Sequence, residues 1–236
     1  MQKKNNLWSL LRRQSRSTVI KRSRFNKLFN KGPKVKKNVA LTRQVCLEAN
    51  SLDEYFWSSA QKGGDNSQWS VNELLPLIRA IVEKYNCRTA VEFGTAQCRT
   101  SCAILMGGVE KLQSYDVERD PVVDHFEVLS EAEGKDWCQM LADSGEVEIP
   151  VCDLLFIDTM HHAEHLTKEL RVANAVRKII VLHDTTTYWE DGDDGKSGLR
   201  YAVEPFLHSQ VEWKLKYQFV FNNGLMVLEK RGWGDA

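Results

Sequence analysis

Apolar positions along this chain follow two periods, and both become regular from about residue 70. In SVNELLPLIRAIVEKYN (70–86), Leu74, Leu75, Ile78, Ile81 and Val82 fall on one helical face, and Ser70 and Glu73 have capping-box spacing. Pro76 is expected to strain or kink the early part of that helix. Short apolar runs then alternate with helical stretches. TAVEF (89–93) reads as a buried strand, TSCAILMGG (100–108) as a helix, and LQSYD (112–116) as a second strand. A helix near 121–134 precedes a third strand, DWCQMLAD (136–143). CDLLFID (152–158) and KIIVLHD (178–184) are the fourth and fifth strands, separated by the helix AEHLTKELRVANAV (163–176). After a helix GLRYAVEPFL (198–207), WKLKYQFVF and GLMVLEK close as an antiparallel pair around Asn222-Asn223-Gly224. Alternating strands and helices predict an α/β fold: a doubly wound, mostly parallel, Rossmann-like sheet with a C-terminal antiparallel strand pair.

The polar residues at the strand ends carry the functional signal. Five successive strands end in Glu92-Phe93-Gly94, Asp116, Asp143, Asp158 and His183-Asp184. In such sheets ligands bind beyond the carboxyl ends of the strands, at the switch point. Helix capping accounts for one or two of these acids, not for all five. Asp116 lies 22 residues after Gly94, where an acid takes a ribose diol. Asp143, followed by Ser144, is placed to meet an adenine amino group. The loop VEFGTAQCRTS (91–101) lacks both G-x-G-x-x-G and the phosphate-cradling G-x-x-x-x-G-K-[ST]. A nucleoside without phosphates needs less glycine. S-adenosylmethionine fits that description, with Glu92, Gly94 and Thr95 as contacts and its amino-acid end against the backbone up to Cys98.

The segments VEFGTAQCRTS, LQSYDVERDP, CDLLFIDTMHHAEHLTKEL, IIVLHDTTTY, GLRYAVEPFL and NNGLMVLEK resemble class I S-adenosylmethionine-dependent methyltransferases. The likeness is to the group of cephalosporin-hydroxylase-like and sugar O-methyltransferase-like proteins, and it covers roughly residues 68–230. FIDTMHH…EL and HDTT are its more specific blocks, and Cys98 stands where a glycine is usual. The resemblance implies a Rossmann-like methyltransferase fold and cofactor contacts at Glu92, Gly94, Asp116 and Asp143. It also implies metal-ligating acids at the ends of the two strands that finish in Asp158 and Asp184.

Four of the six histidines, His161, His162, His165 and His183, fall in these later blocks. HHAEH matches the metalloprotease pattern H-x-x-E-H, but on a loop after a parallel strand rather than on a long zinc-binding helix. Asp158 and Asp184, with His183 beside them, are instead candidates to hold Mg²⁺, which would orient a substrate hydroxyl and lower its pKa. The alternative is that Asp158 and Asp184 only cap or touch the cofactor. His161 is the candidate general base, and a structural role is the competing reading.

Charge changes the picture at the N-terminus. Residues 1–47 hold 14 Lys or Arg and no acid, leaving 18 basic against all 32 acidic residues in the remaining 189. The chain therefore divides into a basic arm (1–47), a lead-in segment (48–69) and a methyltransferase-like domain (70–231). The arm suits a solvated tail, a weak contact to an anionic membrane surface or nucleic acid, or a transit peptide. No apolar stretch approaches the roughly 20 residues of a membrane span. Cys46, Cys87, Cys98, Cys102, Cys138 and Cys152 form no C-x-x-C pair, which points to a reducing, cytoplasmic setting. The function expected is O-methylation of a sugar or other polar small molecule. Rivals are an NAD-dependent reductase or epimerase, which the missing glycines and absent Tyr-x-x-x-Lys oppose, a binding module that has lost catalysis, and a nucleic-acid methyltransferase. The acidic domain and the absence of an Asn/Asp-Pro-Pro-Tyr-type motif oppose the last.

Overall fold

The computed structural model describes residues 18–20, 47–60 and 71–233. Its strands are β1 (Thr18–Ile20), β2 (Thr89–Phe93), β3 (Lys111–Asp116), β4 (Asp136–Leu141), β5 (Cys152–Ile157), β6 (Val176–His183), β7 (Trp213–Phe219) and β8 (Leu225–Lys230). Its α-helices are α1 (Leu52–Ser59), α2 (Leu75–Tyr85), α3 (Arg99–Met106), α4 (Val122–Ala132), α5 (Ala163–Glu169) and α6 (Arg200–Ser209).

The strands form one sheet in the order β1-β7-β8-β6-β5-β2-β3-β4. Every pairing is parallel except the two made by β8, so all other strands point their carboxyl ends to the same edge. From β2 the chain winds outward through β3 and β4, then crosses back to β5 and β6, which puts the switch point between β2 and β5.

Both faces of the sheet are covered, which is why its central strands read as unbroken apolar runs. On β5, Leu154 and Phe156 face the layer of α1, α2, α3 and α4, while Leu155 and Ile157 face α5 and α6. Ile179 and Val181 of β6 alternate with Ile180 and Leu182 in the same way. Each such fully buried side chain contributes about 1.5–3 kcal/mol relative to exposure.

The expected doubly wound sheet and its antiparallel C-terminal pair are present. Four local expectations change. Pro76 does not kink a helix, because a 3-10 turn (Val71–Leu74) leads in and Pro76 falls in the first turn of α2, where no N–H bond is lost. The helix expected over 163–176 ends at Glu169 and tightens into a 3-10 segment (Leu170–Ala175). The third strand stops at Leu141, so Asp143 belongs to the loop beyond it. The segment taken as a lead-in contains α1, whose Leu52, Tyr55 and Phe56 are buried and whose cap Ser51 accepts from Glu54 N at 3.1 Å. β1 lies within the basic arm. Ser70, and with it the capping box, falls outside the described residues.

Candidate active site

At the switch point the backbones of two strands nearly touch. Gly94 has φ +86°, and a Cβ there would lie 2.0 Å from the carbonyl oxygen of Asp158, so only glycine fits. Gly94 N donates to Tyr115 O and Asp158 N to Phe93 O, both at 2.9 Å, which locks the ends of β2, β3 and β5 together. The loop then turns through Ala96 (φ 42°) and the buried Cys98 (φ 56°). Cys98 thus holds the left-handed conformation that makes glycine usual there, and α3 starts from it without a side-chain cap. Tyr55 of α1 donates its hydroxyl to Gln97 O and pins the loop from above.

Two sequence-expected residues brace this loop. Asp116 Oδ2 accepts from Thr95 N at 2.8 Å and Ala96 N at 2.9 Å, and Oδ1 accepts from Glu118 N at 3.2 Å. Glu92 lies wholly inside: its Oε2 accepts from Ser101 and Ser114 hydroxyls, each at 2.6 Å, and Trp137 Nε1 donates to Ser114 Oγ at 2.9 Å. Burial pushes the Glu92 carboxyl up to about 8, against the pull of the two serines. Glu92 therefore lies beneath the loop, not on the edge.

Asp143 Oδ1 accepts from Gly145 N at 2.9 Å and caps a short 3-10 turn. The next residue, Ser144, is buried and donates to Glu169 Oε1 at 2.6 Å. His165 Nε2 stands 3.1 Å from Ser144 Oγ and 3.3 Å from Glu169 Oε1, and that carboxylate raises the imidazole pKa.

The ends of β5 and β6 gather the remaining candidates. His183 Nδ1 is 3.0 Å from Asp158 Oδ1, His161 Nε2 is 2.6 Å from Asp184 Oδ2, and His161 Nδ1 is 2.8 Å from Asp193 Oδ2. Tyr188 stacks on the His161 ring with centroids 4.1 Å apart and planes 5° from parallel. Asp184 has φ 58°, a left-handed conformation that a non-glycine residue keeps only when its surroundings impose it. Burial disfavours a charged His161, but hydrogen bonding and charge from Asp184, then Asp193, outweigh it and lift the pKa to about 9. Burial likewise raises Asp158, yet His183 and then His161 win and hold its carboxyl below the usual range. His183 is raised in turn, because Asp158 and Asp184 overcome its burial. The cluster thus pairs His183 with Asp158 and His161 with Asp184, with Asp193 as a third acid on His161.

His162 serves the fold instead. Its Nδ1 caps α5 by accepting from His165 N at 3.3 Å, and burial lowers its pKa. Asp193, Tyr188, Glu169 and Tyr55 were not among the expected site residues. Glycine-spaced acids in YWEDGDDGK just past HDTT were the available signal for Asp193. Nothing local marks Glu169 or Tyr55.

Among the described residues, Asp158, His161 and Asp184 can each turn one donor atom within 4.8 Å of the others. His161 thus joins the expected acids as a possible ligand, while His183 is spent on Asp158. Two ligands on an octahedral edge about a cation at 2.1 Å stand roughly 3 Å apart. To admit a cation the 2.6 Å His161–Asp184 pair would have to give up its shared proton and open by a few tenths of an ångström.

No family model and no curated protein matches this chain. Solved structures do match its fold. An O-methyltransferase from Bacillus cereus in complex with S-adenosylhomocysteine aligns with TM-score 0.52 at 13% identity, covering 67% of this chain and 81% of that one. S-adenosylhomocysteine-bound methyltransferase PaMTH1 from Podospora anserina gives 0.52 at 11% identity over 78% and 88%. The 1,6-didemethyltoxoflavin-N1-methyltransferase of Burkholderia thailandensis gives 0.51 at 12% over 66% and 77%. The fold is that of the class I S-adenosylmethionine-dependent methyltransferases. At these identities the likeness is one of fold.

Proposed function

We propose that the chain is an S-adenosylmethionine-dependent methyltransferase acting on a hydroxyl of a small polar acceptor such as a sugar. What supports this most is the cluster Asp158, His161, His183 and Asp184, placed at the switch point of a methyltransferase fold next to the Gly94 turn. S-adenosylmethionine supplies, when bound, a methyl group on a positively charged sulfur. The chain provides matching groups for it. The amides of Gly94, Thr95, Ala96 and Cys98 are held by Tyr115, Asp116 and Thr95, so the uncapped first turn of α3 is what offers N–H groups to a carboxylate. Asp116 has spare acceptor capacity on Oδ1 for ribose hydroxyls, and Asp143 and Ser144 follow the neighbouring strand, on the adenine side.

The charge pattern supports a reading of the remaining roles. His161, with both ring nitrogens on carboxylates, is a donor at neutral pH rather than the free base expected from sequence. Proton acceptance falls to the carboxylates of Asp158 and Asp184, with His183 holding Asp158 in place. These are weak bases, so positioning of the acceptor oxygen carries most of the work. A divalent cation on Asp158, His161 and Asp184, displacing the proton His161 shares with Asp184, would lower the pKa of a bound hydroxyl, and this mixed oxygen and nitrogen donor set suits Mn²⁺ as well as Mg²⁺.

Calorimetric titration with S-adenosylmethionine and with NADH tests the class. Binding of the first alone is expected. Binding of NADH alone selects a reductase, and binding of neither selects a module without catalysis. Methyl-transfer assays on sugars, other polyols and amines then separate oxygen from nitrogen acceptors.

A further inference from the structure

Two buried polar atoms without a partner belong to residues that line one small void at the site. Glu169, at the end of α5, is fully buried. Its Oε1 accepts from Ser144 Oγ at 2.6 Å and from Thr159 Oγ1 at 2.7 Å, while Oε2 is left with nothing. His183, 4% exposed, spends Nδ1 on Asp158, and its Nε2 is left with nothing. The void measures about 10 Å³, and its other walls include Asp158, His161, Leu166, Leu182 and Leu199.

That volume is about one water's, and a lodged water needs polar partners on its walls. The two orphaned atoms are complementary. A ring that spends Nδ1 on Asp158 leaves Nε2 to be met from elsewhere, and the unpartnered oxygen of Glu169 needs a donor. A water can meet the first in either role and donate to the second. Glu169 Oε1 meanwhile ties Ser144, beyond β4, to Thr159, beyond β5.

We propose that one internal water bridges His183 Nε2 to Glu169 Oε2, making Glu169 a positioning residue for the His183–Asp158 pair. One buried carboxylate then joins the loops after β4, β5 and β6, so the adenine-side loop and the charged cluster move as a unit. The positioning role rests on reading this edge as the reacting one; the water does not.

A crystal structure of the full chain at atomic resolution is expected to show a water hydrogen-bonded to both atoms. An empty void, or a direct Nε2–Oε2 bond, overturns the bridge whether or not any variant folds. The positioning role is read by NMR of nitrogen-labelled histidine in the wild type, E169Q and E169L. The His183 ring proton is expected to exchange slowly in the wild type and in E169Q, which can still hold the water. In E169L it should exchange at least about tenfold faster, the equivalent of one lost hydrogen bond, with the Nδ1 shift moving as well. Unchanged His183 signals in a folded E169L rule the role out. Cofactor binding is measured separately by calorimetry: its absence in the wild type strikes at the methyltransferase reading, while the water is judged from density alone.

Discussion

Asp116 has one observed role and one proposed for the same carboxylate. It holds the Thr95 and Ala96 amides, and it is the acid expected to take the ribose diol. Asp116→Asn keeps the shape but puts an NH₂ where an acceptor is needed. Calorimetry should show S-adenosylmethionine binding weakened about tenfold or more, since hydrogen bonds to a charged group contribute about 1.5–3 kcal/mol. An unchanged affinity would remove Asp116 from the cofactor site. Glu92 gives a pH signature. Its pKa rises from an ordinary 4.5 to about 8 on folding, so the folded state favours the protonated carboxyl. That contribution is complete below pH 4.5 and is lost as pH rises through 8. Glu92→Gln resembles the neutral form. In urea melts it should gain stability relative to the wild type between about pH 5 and about pH 8, and a constant difference across that window would contradict the burial argument. Both acids were legible in the sequence as strand-end residues. That Glu92 points inward was not, because Ser101 and Ser114, which receive it, come from α3 and β3.

At the scale of elements, the strands and their order of appearance were legible because two-sided burial writes itself as continuous apolar runs. Helix α1 was not: it has eight residues, and its Leu52, Tyr55 and Phe56 gain meaning only against α3 and α4. Yet Tyr55 holds the Gly94–Cys98 loop. Tyr55→Phe should leave Gln97 O short of a donor and cost about 1 kcal/mol in denaturant melts, together with a few-fold loss of cofactor affinity. Stability falling without affinity would mean that α1 packs on the loop but does not shape it. The ends of β5 and β6 make a second paired test. Asp158→Asn and Asp184→Asn are each expected to abolish methyl transfer. Under the metal reading, chelator should silence the wild type and Mn²⁺ or Mg²⁺ restore it. Activity that ignores chelator leaves the histidine–carboxylate pairs as the working arrangement. The sequence supplied Asp158, His161 and Asp184 but not their pairing. Asp193 reaches His161 across 32 residues, and no local pattern encodes such a contact.

For the molecule as a whole, the uneven charge and the sheet's far edge meet in one segment. Among the described residues no helix is long and apolar enough to cross a membrane. The acid-free arm contributes Thr18–Ile20 as β1, parallel to Tyr217–Phe219 of β7. An unpaired strand edge recruits other chains, so covering β7 matters beyond the small gain from three paired residues. Two truncations separate this role from electrostatic ones. Removal of residues 1–17 spares β1 and should leave melting temperature, oligomeric state and cofactor affinity unchanged. Removal of residues 1–24 uncovers β7 and should bring concentration-dependent association in sedimentation, with cofactor affinity still intact, because the Gly94 loop lies four strands from β7 in the sheet. Salt-sensitive binding of the full chain to anionic vesicles or nucleic acid, lost in the shorter truncation, would instead make the arm a phosphate-seeking segment. Equal, monomeric behaviour of both truncations would show that β7 needs no cover.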